Sequence, residues 1–391
     1  MIRISALLTL AAPTYIALTF TRFYVVNPQT QSIIGILLVA TGCGFMMASM
    51  SSFHIGRWVL ASVAVIASAA AINTLVGNNF SIDSGVQLLA NIGYAYAISK
   101  GPMSVTAQKV ITLLLSAFFM SHAVLGVNPE GIFTISRNFI SVLMILSVAF
   151  YYIACTKNEK SPEVLIPIFV LAICLWAIGR SGIISAALLL VGTTVLSNKK
   201  TTILAVYSLI AISVIAVAGE RLLAYVEIFQ VGIERFERLS ASGPDPRELI
   251  FDEYFAITST HLKYIFFGTP LGLVSEISAV GGNPHNAYIS LHASFGMLGL
   301  TYFMLLSAVS LAKLWRAKLR YLTLVFLILL LRSAFDSTAF HGPLDVALFS
   351  CIFVALAKKR YDDMSSPPFS RIWTAMKLPN GRRQAKNEPW I

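Results

Sequence analysis

The sequence predicts an all-α protein that is embedded in a membrane, with twelve transmembrane helices and one long loop on the outer side. Hydrophobic residues make up 57% of the 391 residues and charged residues only 12%, whereas soluble domains carry about 25% charged residues. Apolar runs that approach the length of a membrane span, about 20 residues, recur along the whole chain. A soluble helical protein would need a polar face on each of these helices, and the runs have none.

The apolar runs divide the chain into four regions. The predicted spans cover residues 4–20, 31–50, 58–73, 86–99, 107–126, 138–155, 163–178, 183–197, 202–219, 286–311, 319–333 and 343–357. Nine of them form an N-terminal bundle over residues 1–219, and three form a C-terminal group over residues 286–357. The fourth and eighth spans are the weakest, because one is short and contains Asn91 and the other begins in a polar turn. The alternation of inner and outer loops is preserved only if both of these weak spans are kept or both are dropped.

The distribution of charge predicts the orientation of these spans. With the N-terminus inside the cell, 20 of the 29 basic residues lie on the inner side and 13 of the 18 acidic residues on the outer side. This is the arrangement that the positive-inside rule requires. The net charge of +11 is therefore explained by topology and by attraction to anionic lipids, and we expect no nucleic-acid partner. Residues 358–391 form a basic cytoplasmic tail with four prolines, which we expect to be disordered.

The sequence gives no sign of a metal or of another cofactor. Its four cysteines fall in or at the ends of predicted spans, so no disulfide framework is expected in the outer loop. It contains no CxxC or HExxH motif and no cluster of histidines and cysteines. We therefore expect a protein without bound metal or cofactor.

Residues 220–285 form the one long loop, and long loops in compact proteins are usually functional. Residues 221–239 have the spacing of an amphipathic helix, for which packing against the bundle is the simpler interpretation and membrane-surface binding the alternative. A second helix is predicted to start at Asp245-Pro246-Arg247. Arg247 would then lie in a first turn, where free N–H groups and the helix dipole favour an anion. The same residues also fit an ordinary exposed helix start.

Three further arginines on the outer side are candidates for anion binding. Arg180 lies in a tight turn between two apolar helices, where a charge at membrane depth costs about 2.5–3.5 kcal/mol unless it pairs, reaches the surface or serves a site. Arg332 ends a span and is followed at i+4 by Asp336, so a structural ion pair is the alternative. Arg137 lies in an outer loop. Eight of the nine outer basic residues are arginines, whose planar fork suits bidentate contact with phosphate.

The most informative stretch is residues 283–300, where the chain re-enters the membrane after the long loop. Pro284 is predicted at a helix start, which would place His285 in the first turn. His292 follows seven residues later and would share the face of His285. A histidine in a span usually packs in the core, but one at the mouth of a span beside a long loop is well placed for proton transfer.

Residues 284–300 closely resemble the signature of the bacterial O-antigen ligase/polymerase family, which combines His-Asn with a later Gly-x-x-Gly. The residues in register with it are His285, Asn286, Gly296 and Gly299. Ser294 stands where members of the family often carry an acidic residue, so no role is assigned to a carboxylate there. The resemblance extends over residues 170–345 and is specific at the signature.

The resemblance implies a metal-independent glycosyltransferase in the bacterial inner membrane, with its active site facing the periplasm. Its donor would be an oligosaccharide on undecaprenyl diphosphate, and its acceptor would be lipid-linked or lipid A-core sugar. His285 would orient or deprotonate the acceptor hydroxyl. The remaining assignments are Arg180, Arg247, Arg332 and Arg137 for the diphosphate, and Asn286, His292 and Asp336 for support. A flippase and a chain-length regulator are the protein partners that such an enzyme implies.

Three activities stay open at this point, beside the further alternative of a structural scaffold in a polysaccharide-assembly complex. A polymerase of repeat units is slightly favoured by resemblance, because of His292 and because Ser294 replaces the acid. A ligase that attaches finished polymer to lipid A-core sugar is the first alternative. A flippase or transporter of the same lipid is the alternative of another class, although the sequence has no self-similar halves and its charges gather at the membrane boundary.

Overall fold

The computed structural model describes residues 4–52, 56–76, 82–197, 246–279, 283–340 and 342–357. Helices account for 82% of these residues, and no strand occurs among them, which confirms the all-α prediction for this part of the chain. The predicted span 202–219, the predicted amphipathic helix 221–239 and the basic tail 358–391 lie outside the described residues.

Fifteen α-helices lie in the described ranges. They are α1 (Ile4–Leu8), α2 (Ala11–Tyr24), α3 (Pro28–Ser52), α4 (Arg57–Leu75), α5 (Ile82–Lys100), α6 (Val105–Val124), α7 (Asn138–Lys157), α8 (Leu165–Trp176), α9 (Arg180–Ser197), α10 (Pro246–Thr260), α11 (Leu262–Phe267), α12 (Ser275–Ala279), α13 (Ala287–Arg316), α14 (Arg320–Phe335) and α15 (Asp345–Leu356).

Seven of the described helices are long and apolar enough to cross a membrane. They are α2 with the residues just before it, α3, α4, α6, α7, α9 and α13. Helices α8 and α15 are apolar but have only 12 residues each. Helix α5 has 19 residues but carries Asp83, Asn91 and Lys100, and α14 has 16 residues. The count of twelve spans therefore stays a prediction.

Helix α7 occupies the centre of the bundle, since every residue from Phe139 to Cys155 is buried. It packs against α6, α8, α9 and α14. Around it, α3 and α5 approach each other closely, because a β-carbon on Gly93 would overlap the carbonyl oxygen of Gly42. Small residues permit such close backbone contact between helices in a membrane.

One end of the bundle gathers the segments that the sequence singled out. Helices α7, α9 and α13 begin there and α14 ends there, and we call it the signature end. The Asn286 side chain at the start of α13 donates to the Ala334 carbonyl at the end of α14, at 2.9 Å. The Arg332 guanidinium of α14 donates to the Ser141 hydroxyl in the first turns of α7, at 2.8 Å.

Helix α13 is broken at Gly296, so the predicted span 286–311 consists of two helical segments joined by a kink. Gly296 has a φ of +64°, a conformation that glycine adopts readily. Helix α11 lies against this kink: a β-carbon on Gly296 would overlap the Phe266 carbonyl oxygen. A β-carbon on Gly268 would likewise overlap the His292 carbonyl oxygen. The two glycines therefore bring α11 into direct backbone contact with α13.

Candidate functional site

His285 lies immediately before α13 and adopts a left-handed backbone conformation with a φ of +50°. Few residues other than glycine occupy this region, and such strain persists where the surrounding structure holds it. The Asn283 side chain accepts a hydrogen bond from the His285 N–H at 2.9 Å. The prediction that His285 lies in the first turn of the helix is therefore wrong, because α13 begins two residues later, at Ala287.

Asn286 explains why the helix starts where it does. Its side-chain oxygen accepts hydrogen bonds from the N–H groups of Tyr288 at 2.8 Å and Ile289 at 3.1 Å. Asparagine is among the residues that cap helix N-termini best. Its amide nitrogen donates to the Ala334 carbonyl of α14. Asn286 thus fixes the chain directly after His285 and attaches it to a second helix.

Two polar residues that the sequence reasoning missed complete the turn around His285. The Asn283 oxygen also accepts a hydrogen bond from the Ser337 hydroxyl, in the segment that follows α14. The Asn283-Pro284 dipeptide is a turn signal that could have identified the first of them. Ser337 lies 54 residues further along the chain, and no local pattern predicts its contact.

Arg332 lies at the signature end with its side chain completely buried. Its Nη2 donates to the Ser141 hydroxyl and lies 3.7 Å from the Asp336 carboxylate, which gives the ion pair expected at i,i+4. Its Nε and Nη1 atoms have no hydrogen-bond partner among the described residues. The protein therefore buries a guanidinium at the signature end whose Nε and Nη1 donors are not hydrogen-bonded to any described residue.

Arg180 is the first residue of α9 and is exposed. It follows a sharp turn in which Ile178 has a φ of +51°. Two residues after Arg180, α9 packs closely on its neighbours. A β-carbon on Gly182 would overlap the Ser141 hydroxyl and lie 3.2 Å from Arg332 Nη1. The start of α9, with its free backbone N–H groups, is thus adjacent to the buried Arg332.

Arg137 and Arg247 lie at the starts of two other helices. Arg137 precedes α7 and forms an ion pair with Glu130 at 3.3 Å. Arg247 is the second residue of α10, so it lies in the first turn as predicted, and its side chain is half-buried. Asp245, the predicted cap, lies outside the described residues. The first turns of α10 and α13 adjoin, since Ile250 and Ile289 belong to one buried apolar cluster, whose members are Ile250, Tyr254, Val274, Ile277 and Ile289.

His292 is buried inside α13 and does not line the mouth of the helix. Its Nδ1 lies 2.6 Å from the Tyr254 hydroxyl of α10, and its Nε2 lies 2.9 Å from the Ile265 carbonyl oxygen of α11. The expectation that it shares a face with His285 is wrong, because His285 precedes the helix and the seven-residue spacing does not apply. His292 instead joins three helices.

An apolar cavity of about 380 Å³ opens beside the kink in α13. Its walls include Ile72, Asn73, Phe266, Phe267, Phe295 and Leu298. The Asn73 amide donates to the Ser294 carbonyl at 2.8 Å, next to the break in the helix. The cavity thus lies between α4, α11 and α13, about three helical turns along α13 from Asn286.

The comparisons with known proteins give no match. No protein family model, no curated protein and no solved structure matches this sequence. The family resemblance consequently rests on the signature residues themselves. Within the described part of the chain, no group of three or more His, Cys, Asp or Glu side chains is placed to hold a metal ion.

The signature end combines two kinds of chemistry. Arg137, Arg180 and Arg247 stand at the starts of helices α7, α9 and α10, and the buried Arg332 lies between two of those helices. Guanidinium groups and helix N-termini both attract anions. A half-buried imidazole at His285 adds a side chain of the kind that most often acts as a general base.

Proposed function

We propose that the protein is a membrane glycosyltransferase that moves an oligosaccharide from undecaprenyl diphosphate to a sugar hydroxyl. The observation that carries this proposal is His285, held in a left-handed turn by Asn283 and Asn286 at the end of the bundle where three helices each have an arginine at or beside their first residue. Strained residues of this kind concentrate at functional sites. The site would face the periplasm at the inner membrane.

The arginines account for the departure of the lipid diphosphate. When the sugar–phosphate bond breaks, negative charge builds on the leaving phosphate oxygen, and fixed positive groups lower the energy of that state. Arg180 and Arg247 are suited to bidentate contact with the diphosphate oxygens. The N-termini of α9 and α10 and the buried charge of Arg332 add to the positive potential.

His285 accounts for activation of the acceptor. Its imidazole would accept the proton of the acceptor hydroxyl as that oxygen attacks the anomeric carbon. The bond from the anomeric carbon to the phosphate oxygen breaks in the same step, so the configuration at that carbon inverts. The products are the extended glycan and undecaprenyl diphosphate, and the proton leaves from the imidazole to water.

The membrane placement of the site is supported by two independent features. Seven described helices are long and apolar enough to cross a membrane. Most basic residues lie in the predicted loops and tails on the side of the bundle opposite the signature end. By the positive-inside rule, this distribution favours an outward-facing signature end. The apolar cavity beside Phe266 and Phe295 is suited to part of an isoprenoid chain. Twelve spans and a periplasmic loop over residues 220–285 belong to this proposal.

Polymerization of lipid-linked repeat units is the preferred form of the activity, and ligation to lipid A-core sugar is the alternative. The preference rests on the resemblance at His292 and Ser294. Gel patterns of surface polysaccharide after deletion of the gene separate the two. A lost ladder with a single repeat retained indicates a polymerase. Lost surface polymer with accumulated lipid-linked chains indicates a ligase.

The site assignment is tested with purified His285→Ala and Arg247→Ala proteins. We expect His285→Ala to bind the lipid-linked donor but to lose transfer by about 10²–10⁴-fold, the usual contribution of a general base. Arg247→Ala should weaken both donor binding and transfer. Arg316→Ala, which removes a charge from the opposite end of α13, is the control and should keep both. Full transfer by His285→Ala and Arg247→Ala would falsify the assignment.

A further inference from the structure

His292 joins its own helix, α13, to two helices that lie well before it in the sequence. Its two ring nitrogens contact Tyr254 of α10, 38 residues before it, and Ile265 of α11, 27 residues before it. The His292 and Tyr254 side chains are both buried, at 7% and 1% exposure. Both ring nitrogens of His292 are therefore engaged in hydrogen bonds within the protein, and neither is left for another partner.

The contact defines which nitrogen carries the proton. The Ile265 carbonyl oxygen can only accept, so His292 Nε2 must be the donor of that hydrogen bond. Burial raises the pKa of Tyr254 to about 12, so its hydroxyl keeps its proton and can donate it to Nδ1. An imidazole with its hydrogen on Nε2 satisfies both bonds in one orientation of the ring.

The surroundings leave α10 and α11 little freedom to shift against α13. Backbone contact at Gly268 and Gly296 places α11 directly on the kink. The Thr258 hydroxyl of α10 and the Thr269 hydroxyl after α11 lie 2.6 Å apart, and both side chains are buried. Slight displacement of α10 would therefore break several buried hydrogen bonds at once.

We propose that His292 is a positioning residue that holds Arg247 in place relative to His285. It does so by joining α10, which begins one residue before Arg247, to α13, which begins two residues after His285. This inference rests on the proposed function, because it assigns the consequence of the contact to binding of the diphosphate. His292 itself takes no part in proton transfer.

The test uses substitutions that each remove one of the two bonds. Tyr254→Phe removes the donor to Nδ1. His292→Gln places an amide near the Nε2 position and keeps the bond to Ile265, whereas His292→Asn places one near Nδ1 and keeps the bond to Tyr254. Tyr264→Phe is the control, since the Tyr264 ring of α11 packs edge-to-face against His261, outside the contact.

The first measurement does not depend on catalysis. Spin labels are attached at Glu248→Cys in α10 and Leu305→Cys in α13, both exposed positions. A Cys43→Ser background is used because the other three cysteines are buried. Pulsed EPR in lipid nanodiscs should show a broader distance distribution for Tyr254→Phe and His292→Gln than for the wild type and Tyr264→Phe. Unchanged distributions overturn the proposal.

The second measurement is transfer from a lipid-linked repeat unit. We expect Tyr254→Phe and His292→Gln to lower kcat/KM about tenfold, mainly through a higher KM, as loss of one buried hydrogen bond would. The double variant should be no worse than either single variant, because both remove the same bond. Broader distances with unchanged KM overturn the positioning role. A third outcome is that the variants show broader distances but the wild type does not transfer glycan. That outcome would overturn the proposed function and the positioning role, while the contact of His292 with Tyr254 and Ile265 would stand.

Discussion

His285 holds its left-handed backbone through side chains on both sides of it. Asn283 accepts from its N–H, and Asn286 caps the helix that follows. Neither asparagine needs to contact substrate to matter, because together they determine where the imidazole lies. At the scale of the residue, the pairing of His with Asn in the signature therefore has a structural explanation, in addition to any role in binding.

Asn286→Ala tests this explanation. It removes an N-cap, which costs about 1 kcal/mol of stability, and it also removes the bond to the Ala334 carbonyl. We expect a small loss of thermal stability and a much larger loss of transfer. Ser104→Ala, which removes the cap of α6, should cost similar stability without loss of transfer. Equal effects of the two variants on transfer would contradict the explanation.

Arg332→Met tests the role of the buried guanidinium. Two of the Arg332 nitrogens lack partners among the described residues, but the third is paired with Asp336. Removing one member of a buried ion pair leaves the other charge uncompensated and destabilises the fold. We expect a lower melting temperature, together with weaker donor binding by the protein that remains folded. Arg320→Met at the opposite end of α14 is the control. Unfolding of Arg332→Met together with normal donor binding in its folded fraction would assign Arg332 to structure alone.

At the scale of the element, the kink in α13 and the short helices packed on it form one unit. Helix α12 is attached to α10 by Glu253, whose carboxylate accepts hydrogen bonds from the N–H groups of Glu276 at 2.9 Å and Ser275 at 3.0 Å. The Ser275 hydroxyl donates to the same carboxylate at 2.6 Å. These contacts place α10, α11 and α12 in a fixed arrangement at the signature end.

Gly296→Ala should disrupt this unit. The added β-carbon would overlap the Phe266 carbonyl oxygen. The backbone of Gly296, with a φ of 64° and a ψ of −166°, lies in a region that essentially only glycine occupies, and it costs other residues about 1–3 kcal/mol. We expect a clear drop in the melting temperature of the detergent-solubilized protein and loss of transfer. Gly272→Ala, where nothing lies within 4 Å of the added atom, should match the wild type. Equal melting temperatures for the two variants would refute the close contact.

The attachment of α12 should depend on pH. Hydrogen bonds from the Glu276 N–H and from Ser275 hold the pKa of Glu253 below its ordinary value, which is about 4.3. Because the folded-state pKa is lowered, the stabilisation is complete above the ordinary value and is lost as the pH falls through the lowered pKa. Hydrogen exchange at residues 275–279, corrected for the intrinsic rate, should therefore accelerate below about pH 4. Glu253→Gln should exchange faster already at neutral pH, and identical protection in the two proteins would contradict the assignment.

Across the molecule as a whole, the proposed reaction requires the signature end of the bundle to face the periplasm. Ile135 lies in the exposed loop before α7 at the signature end, and Lys318 lies between α13 and α14 at the other end. In intact cells, Ile135→Cys should react with a membrane-impermeant maleimide, whereas Lys318→Cys should react only after permeabilization. The reverse pattern would exclude a periplasmic site.

The sequence predicted the helical class and most helix positions, and it offered the Arg332–Asp336 ion pair as the alternative for Arg332, because these follow from hydropathy and from spacing within one helix. It could not predict the start of α13 after Asn286, since capping by that side chain competes with a start at Pro284. The contacts of His292 with Tyr254 and Ile265 join residues far apart in the chain. Such contacts depend on the kink at Gly296, which hydropathy does not reveal.

In the proposed reaction, arginines and His285 at the signature end catalyse glycan transfer from a lipid diphosphate. This reaction is tested by supplying purified protein in nanodiscs with lipid-linked repeat units alone and by resolving the products by gel and mass spectrometry. We expect glycans of two or more repeats on undecaprenyl diphosphate, formed by the wild type and not by His285→Ala. Intact donor that binds the wild-type protein but yields no product longer than one repeat would contradict polymerization. If a lipid A-core acceptor then also remained unmodified, the whole glycan-transfer account would be wrong.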